Sequence, residues 1–141
     1  MPACTLTCPA RLEHLESVTA FVEETAEQFE LELKKKFQVL IAVEEAFVNV
    51  CHYAYPDGEG QVELACGLDG QGWFFVELAD SGVPFNVLTL PEPDTTSDLM
   101  ERQIGGLGVH FIRSLTEQVS YRYADGKNIL RMLFQHSGDA A

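Results

Sequence analysis

The stretch KFQVLIAVEEAFVNVCHYA, residues 36–54, constrains the rest of this chain more than any other. Its pattern is helical, and Pro56-Asp57-Gly58 stops it. At 100° per residue, Val43, Ala46, Phe47 and Val50 form one face. Glu45, Asn49 and His52 fall within about 60° of one another on the other side, flanked by Ile41, Ala42 and Val48. The polar line therefore does not simply face bulk water, and burying an unpaired amide costs about 2–7 kcal/mol. Either the line is a partly exposed polar edge, or something lies opposite it that its oxygens and nitrogens can meet.

The remaining elements can be arranged around that helix. PACTLTCP reads as a short strand. Leu12, Leu15, Val18, Phe21, Val22 and Phe29 give a second helical stripe over 12–33, with acids opposite. QVELACGL and GWFFVELAD read as strands joined through LDGQG, and VSYRYA and NILRMLFQ as a hairpin closed by ADGK. Between them, residues 80–106 carry little periodicity, three prolines and a scatter of Asp, Thr and Ser. Long irregular segments inside compact domains are usually lids or binding loops, or are disordered. GLGVHFIRSLTEQ then reads as a helix entered through glycines. Helices on one side of an antiparallel-rich sheet make an α+β two-layer sandwich. With 141 residues and no repeat or linker, a single domain over 1–141 is expected.

Composition excludes several functions. The formal net charge of −13 argues against a duplex nucleic-acid binder, which needs Lys and Arg to displace counterions. The acids crowd into residues 13–32, where they serve either as a solvated surface or as a docking face for a basic partner. No basic region followed by an apolar core opens the chain, and no apolar run approaches the roughly 20 residues of a membrane span. A cytoplasmic protein without direct membrane contact is expected. Cys4, Cys8, Cys51 and Cys66 lack paired zinc-ligand spacing and read as small hydrophobes in a reducing compartment.

Two further boxes join the polar line of the long helix. LADSGVPF, residues 78–85, places Asp80 at the end of an apolar strand, where a carboxylate can accept from an exocyclic amine. Gly82 there would let a flat ligand approach the backbone, though D-S-G is also an ordinary turn. IGGLGVHFI, residues 104–112, runs glycines into a helix start, where exposed amides suit phosphate oxygens. It has neither the G-K-[ST] of a Walker A loop nor a dinucleotide G-x-G-x-x-G.

The order of the boxes is more specific than any one of them. E-x-x-x-N on a helix, D-x-G-x-P after a strand, a long loop, and G-G-x-G opening a helix follow in turn from Glu45 to Gly108. This order resembles the N, G1 and G2 boxes of the GHKL ATPase fold, shared by histidine-kinase catalytic domains, certain chaperones and gyrases. The stretch EAFVNVCHYAY and the tail GGLGVHFIRSLTEQVSYRYADGKNIL are similar to the bacterial anti-sigma-factor serine/threonine kinases. The resemblance implies a two-layer sandwich with helices on one face of a mixed, largely antiparallel sheet.

It also implies roles for particular residues. Asn49 would be a ligand to Mg²⁺, and Glu45 the base for an attacking hydroxyl. Asp80 would hold the adenine amine of ATP, with Gly82 at the ring's flank. Gly106 and Gly108 would cradle phosphates, Gly105 would hinge a lid over 84–104, and Arg102 would reach the phosphates. His52 would lie near the nucleotide or simply pack. The implied activity is transfer of the γ-phosphate to a Ser or Thr of a small anti-sigma-antagonist-like partner. A sigma factor and a second copy of the chain are further partners the resemblance allows. A nucleotide-dependent module that sequesters a partner without phosphorylating it is the alternative, and retention of Glu45 favours the kinase. A histidine-kinase catalytic domain ranks last, because no dimerisation helices with a phosphoacceptor histidine precede the boxes.

Overall fold

Alternation of apolar and polar residues places the strands. In the computed structural model, which describes residues 3–89 and 108–136, β1 (Cys4–Pro9), β2 (Gln61–Leu68), β3 (Phe74–Asp80), β4 (Gln118–Ala124) and β5 (Lys127–Phe134) form one sheet. The strand order is β1-β2-β3-β5-β4, and each of these four pairings is antiparallel. The antiparallel majority expected from the sequence is, among the described residues, the whole sheet.

Register aligns the even-numbered residues of the three central strands. Cys66 lies beside Val76 and Val76 beside Met132; Leu64, Leu78 and Leu130 form the next row. These side chains are buried, whereas Gln61 and Glu63 of β2 are exposed. The last row in this direction is Val62, Asp80 and Asn128. The apolar phase of the sheet therefore ends on an acid and an amide.

Two tight connections explain the register. Asp125 (φ 55°) and Gly126 (φ 77°) are both left-handed, as a two-residue type I′ hairpin requires. Between β2 and β3, Asp69 Oδ1 accepts from the amides of Gln71 (2.8 Å) and Trp73 (2.9 Å).

Against the inner face lie α1 (Leu15–Gln28) and α2 (Leu33–Tyr53). From α1 come Val18, Val22 and Ala26; from α2, Val39, Val43, Ala46, Phe47 and Val50. A single 3₁₀ turn, Leu12–His14, precedes α1, so Leu12 stands exposed instead of opening the apolar stripe. The far end of α1 closes with Glu30 at φ 58°, the Leu31 amide on the Ala26 carbonyl and the Glu30 amide on the Glu27 carbonyl. That is a Schellman cap with glutamate where glycine is usual. Lys36 near the start of α2 reaches back to Glu27 (2.9 Å) and Glu23 (3.6 Å), joining the two helices.

After β3 a 3₁₀ turn, Val87–Thr89, leads out of the first described stretch, and α3 (Gly108–Leu115) opens the second. The four cysteines are free thiols, with Cys8 and Cys66 buried. Among the described residues, no helix is long and apolar enough to cross a membrane.

Candidate functional site

Where the apolar rows of the sheet end, a small pocket opens between α2 and the sheet. Asn49 and Val50 of α2 form one wall and Asp80 of β3 another. Phe85, Tyr121 and Asn128 close it from the following segment, β4 and β5. Its walls are mainly apolar with a few fixed polar groups, the usual make-up of a small-molecule site.

The polar line of α2 divides into three environments. The buried arc of this helix runs from Phe47 round to Asn49, and Asn49, about 60° from Ala46, lies at its edge. Asn49 is 1 % exposed, Glu45 half-buried and His52 exposed. Asn49 is thus not opposite Ala46 and Val50, as the helical wheel suggested, but lines the same pocket beside them. The arc is wide because α2 packs against β3, α1 and α3 together. His52 is turned out beside Tyr53, with ring centroids 6.3 Å apart.

Asn49 carries the clearest anomaly. Its Nδ2 donates to the Glu45 carbonyl at 2.9 Å, whereas its Oδ1 is buried with no hydrogen-bond partner among the described residues. An orphan of this kind costs about 1–3 kcal/mol and calls for an explanation. One turn earlier, burial pushes the Glu45 carboxyl above its usual range, and the charge of Glu44 adds to the effect.

Asp80, 4 % exposed, is held by one oxygen among the described residues. Its Oδ1 accepts from the Gly82 amide and from Asn128 Nδ2, both at 2.9 Å. Burial raises its pKa, and these two hydrogen bonds pull it partly back down. The turn after Asp80 is pinned to the end of α2. The Val83 amide donates to the Ala54 carbonyl at 2.8 Å, and Tyr55 Oη accepts from the Ser81 amide at 2.8 Å. A Cβ on Gly82 would stand 2.1 Å from the Ala54 carbonyl oxygen. The close approach that Gly82 permits here is to the helix end.

Sequence reasoning missed Asn128. It is 3 % exposed, and its Nδ2 donates both to Asp80 Oδ1 (2.9 Å) and to the Val83 carbonyl (2.8 Å). Its Oδ1 accepts from the Phe85 amide (3.0 Å) and from the Tyr121 hydroxyl (2.6 Å). Strand alternation contains the signal, since Asn128 is in phase with Leu130, Met132 and Phe134.

Of the other expected site residues, Gly108 is the first residue of α3. Arg102, Gly105 and Gly106 lie outside the described residues, as does most of the expected lid. The first part of that segment is tied down. Phe85 is bonded to Asn128, Val87 is buried, and Arg113 of α3 donates to the Leu88 carbonyl at 3.0 Å.

Residues 8–134 match the histidine kinase-like ATPase domain. The chain belongs to that family, and its α+β architecture of helices on a five-stranded antiparallel sheet agrees with the fold expected from the boxes. It is similar to the serine-protein kinase RsbW of Bacillus mycoides, 24% identical over 126 residues that cover 86% of this chain and 78% of that one. The serine-protein kinase RsbW of Bacillus thuringiensis is 22% identical over the same shares. Among solved structures, the RsbU and RsbW domains of Rv1364c from Mycobacterium tuberculosis superpose with a TM-score of 0.68 at 14% identity. That match covers 96% of this chain and 32% of the other.

Proposed function

We propose that the chain is a single Mg·ATP-binding domain over 1–141 that transfers the γ-phosphate to a Ser or Thr hydroxyl of a small anti-sigma-antagonist-like protein. The observation that carries this reading is the unmet Oδ1 of Asn49 on the wall of the pocket. An amide oxygen is the hard, neutral donor that Mg²⁺ accepts beside phosphate and water, and coordination would remove the orphan. Opposite it, Asp80 has Oδ1 engaged inside the protein and Oδ2 without a partner among the described residues, ready for an exocyclic amine. The amide-rich start of α3 at Gly108, with Gly105 and Gly106 before it, suits the phosphates. Arg102 would add positive charge there. The names of the curated relatives support the same class of reaction.

In the transfer, the acceptor oxygen bonds to the γ-phosphorus as the bond to the β–γ bridging oxygen breaks. The hydroxyl proton passes to the Glu45 carboxylate, and ADP leaves with the bridging oxygen. Magnesium, when bound, supplies charge neutralisation on the phosphate oxygens. The desolvated setting of Glu45 raises its proton affinity toward what a base at neutral pH needs. Partner-switching with a sigma factor, self-association and a cytoplasmic setting accompany the reading by family likeness.

Two measurements test it. Millimolar Mg·ADP should raise the melting temperature, and chelating the metal should remove most of the rise. Labelled ATP should then phosphorylate a co-purifying small partner on Ser or Thr. Absence of any nucleotide shift overturns the assignment of the pocket. A partner that binds the ATP-loaded protein and gains no label replaces the kinase with the nucleotide-gated binding module.

A further inference from the structure

We infer that Asn128 is the positioning residue of the base site: it fixes Asp80 so that the pocket reads a base through a donated N–H and refuses a carbonyl at that corner. The inference rests on the nucleotide reading of the pocket and extends it to a residue outside the three boxes.

The argument starts from valence. An asparagine side chain has two donor hydrogens and two acceptor lone pairs. In this site each has a partner inside the protein. The donors go to Asp80 Oδ1 and the Val83 carbonyl, and the acceptors take the Phe85 amide and the Tyr121 hydroxyl. Asn128 lines the pocket yet has nothing left to offer a ligand. What it does instead is hold three pieces of the wall at once: the acid at the end of β3, the turn at 83–85, and the phenol of β4.

The consequence falls on Asp80. With Oδ1 accepting from two N–H groups, the oxygen without a partner among the described residues is Oδ2, and an ionised carboxylate can only accept. A base that presents an amine completes the site. A base that presents a carbonyl at the same position sets oxygen against oxygen, and no donor of Asn128 is free to turn toward it. The two bonds to Oδ1 also work against the burial that favours the neutral form of Asp80. The titratable groups around it are the phenols of Tyr55, at the end of α2, and of Tyr121 on β4. The Glu63–Lys127 pair, 2.7 Å apart, stands beside Tyr55. Neither phenol is charged near neutrality. Replacing Asn128 removes one of the two bonds that favour ionised Asp80, the other being from the Gly82 amide.

The test compares ADP with IDP, whose base bears a carbonyl where adenine bears its amine. Affinities are measured in Mg²⁺ across about pH 6 to 9, on the parent and on Asn128→Asp. The parent should favour ADP by roughly tenfold or more, with little change over this range. The near-isosteric Asn128→Asp donates to Asp80 only while the new carboxyl pair keeps a proton. Asp80 shares that proton and can then itself donate to a base carbonyl, so the ADP:IDP ratio should lie near one at low pH and climb as pH rises through the upper pKa of that pair. General damage to the fold would weaken both nucleotides alike and leave the ratio alone. A folded Asn128→Asp protein with the parent's ratio at every pH overturns the inference while the nucleotide reading stands. A parent that binds neither nucleotide overturns both. Should Asn128→Asp not fold, Tyr121→Phe decides, since it removes only the 2.6 Å bond that steadies Asn128. A several-fold loss of ratio supports the inference, and a parent-like ratio overturns it.

Discussion

Replacing Asn49 by leucine should make the nucleotide-free protein more stable and the nucleotide-bound protein unattainable. The side chain is buried, and its Oδ1 is without a partner among the described residues. Removing that orphan returns about 1–3 kcal/mol. Against this stands the loss of the 2.9 Å bond from Nδ2 to the Glu45 carbonyl, about 0.5–1.5 kcal/mol. That carbonyl keeps its regular helix partner, so no new orphan appears. Leucine branches as asparagine does, with two methyl groups in place of the amide oxygen and nitrogen, and its slightly larger volume can extend into the pocket beside Val50, which avoids the strain of an overpacked core. The balance is a gain of about 1 kcal/mol, or roughly 3–5 °C in melting temperature for a chain of this length. On the ligand side the sign reverses. A parent protein at a hundredfold excess of Mg·ADP over Kd should gain about 2.7 kcal/mol, whereas the variant has lost the metal's protein ligand and should gain little. Thermal unfolding of both proteins, with and without Mg·ADP, reads all four numbers. If Asn49→Leu instead lowers the melting temperature of the nucleotide-free protein by several degrees, Asn49 is a structural amide. If it keeps the full, metal-dependent Mg·ADP shift, Asn49 is not the metal's ligand.

Other substitutions probe the neighbouring parts. Glu45→Gln should leave Mg·ADP affinity within a few-fold and cut phosphoryl transfer by about 10²–10⁴; transfer at the parental rate removes Glu45 as the base. The same variant should be more stable than the parent at neutral pH. The folded-state pKa of Glu45 is raised, so its ionisation opposes folding above that value, and the gain should vanish below the ordinary Glu range near about pH 4.3. Glu30→Gly relieves a left-handed glutamate at the end of α1 and should stabilise by about 1 kcal/mol in denaturant unfolding. Gly82→Ala sets a Cβ 2.1 Å from the Ala54 carbonyl oxygen and should cost about 1–3 kcal/mol, with Mg·ADP affinity falling because the Gly82 amide also holds Asp80.

Much of the fold was legible because its periods are strong. β5 alternates through Asn128, Leu130, Met132 and Phe134, and the Asp125-Gly126 turn admits essentially one hairpin geometry. The limits of α1 were harder to see. Leu12 fits the apolar stripe, but a 3₁₀ turn intervenes, and the helix stops at a glutamate in a conformation glycine usually takes. No residue preference marks that stop. It rests on the Schellman bonds and on the packing of Leu31, which together outweigh the local strain.

The site was legible in its boxes and illegible in its supports, for a physical reason. Glu45, Asn49 and Asp80 stand out because polar groups in apolar runs need an explanation wherever the chain places them. Gly82 also stood out, although the contact it makes is with the end of α2. Asn128 breaks its strand pattern just as Asp80 does, yet an Asn that opens a strand directly after a turn looks like an ordinary strand end until register places it opposite Asp80. Register depends on pairing between β3 and β5, which are separated in sequence by the long irregular segment and α3. No local pattern specifies that pairing. The groups that would touch a ligand can thus be read one element at a time, while the residue that holds them in place becomes visible only when two distant strands share a row.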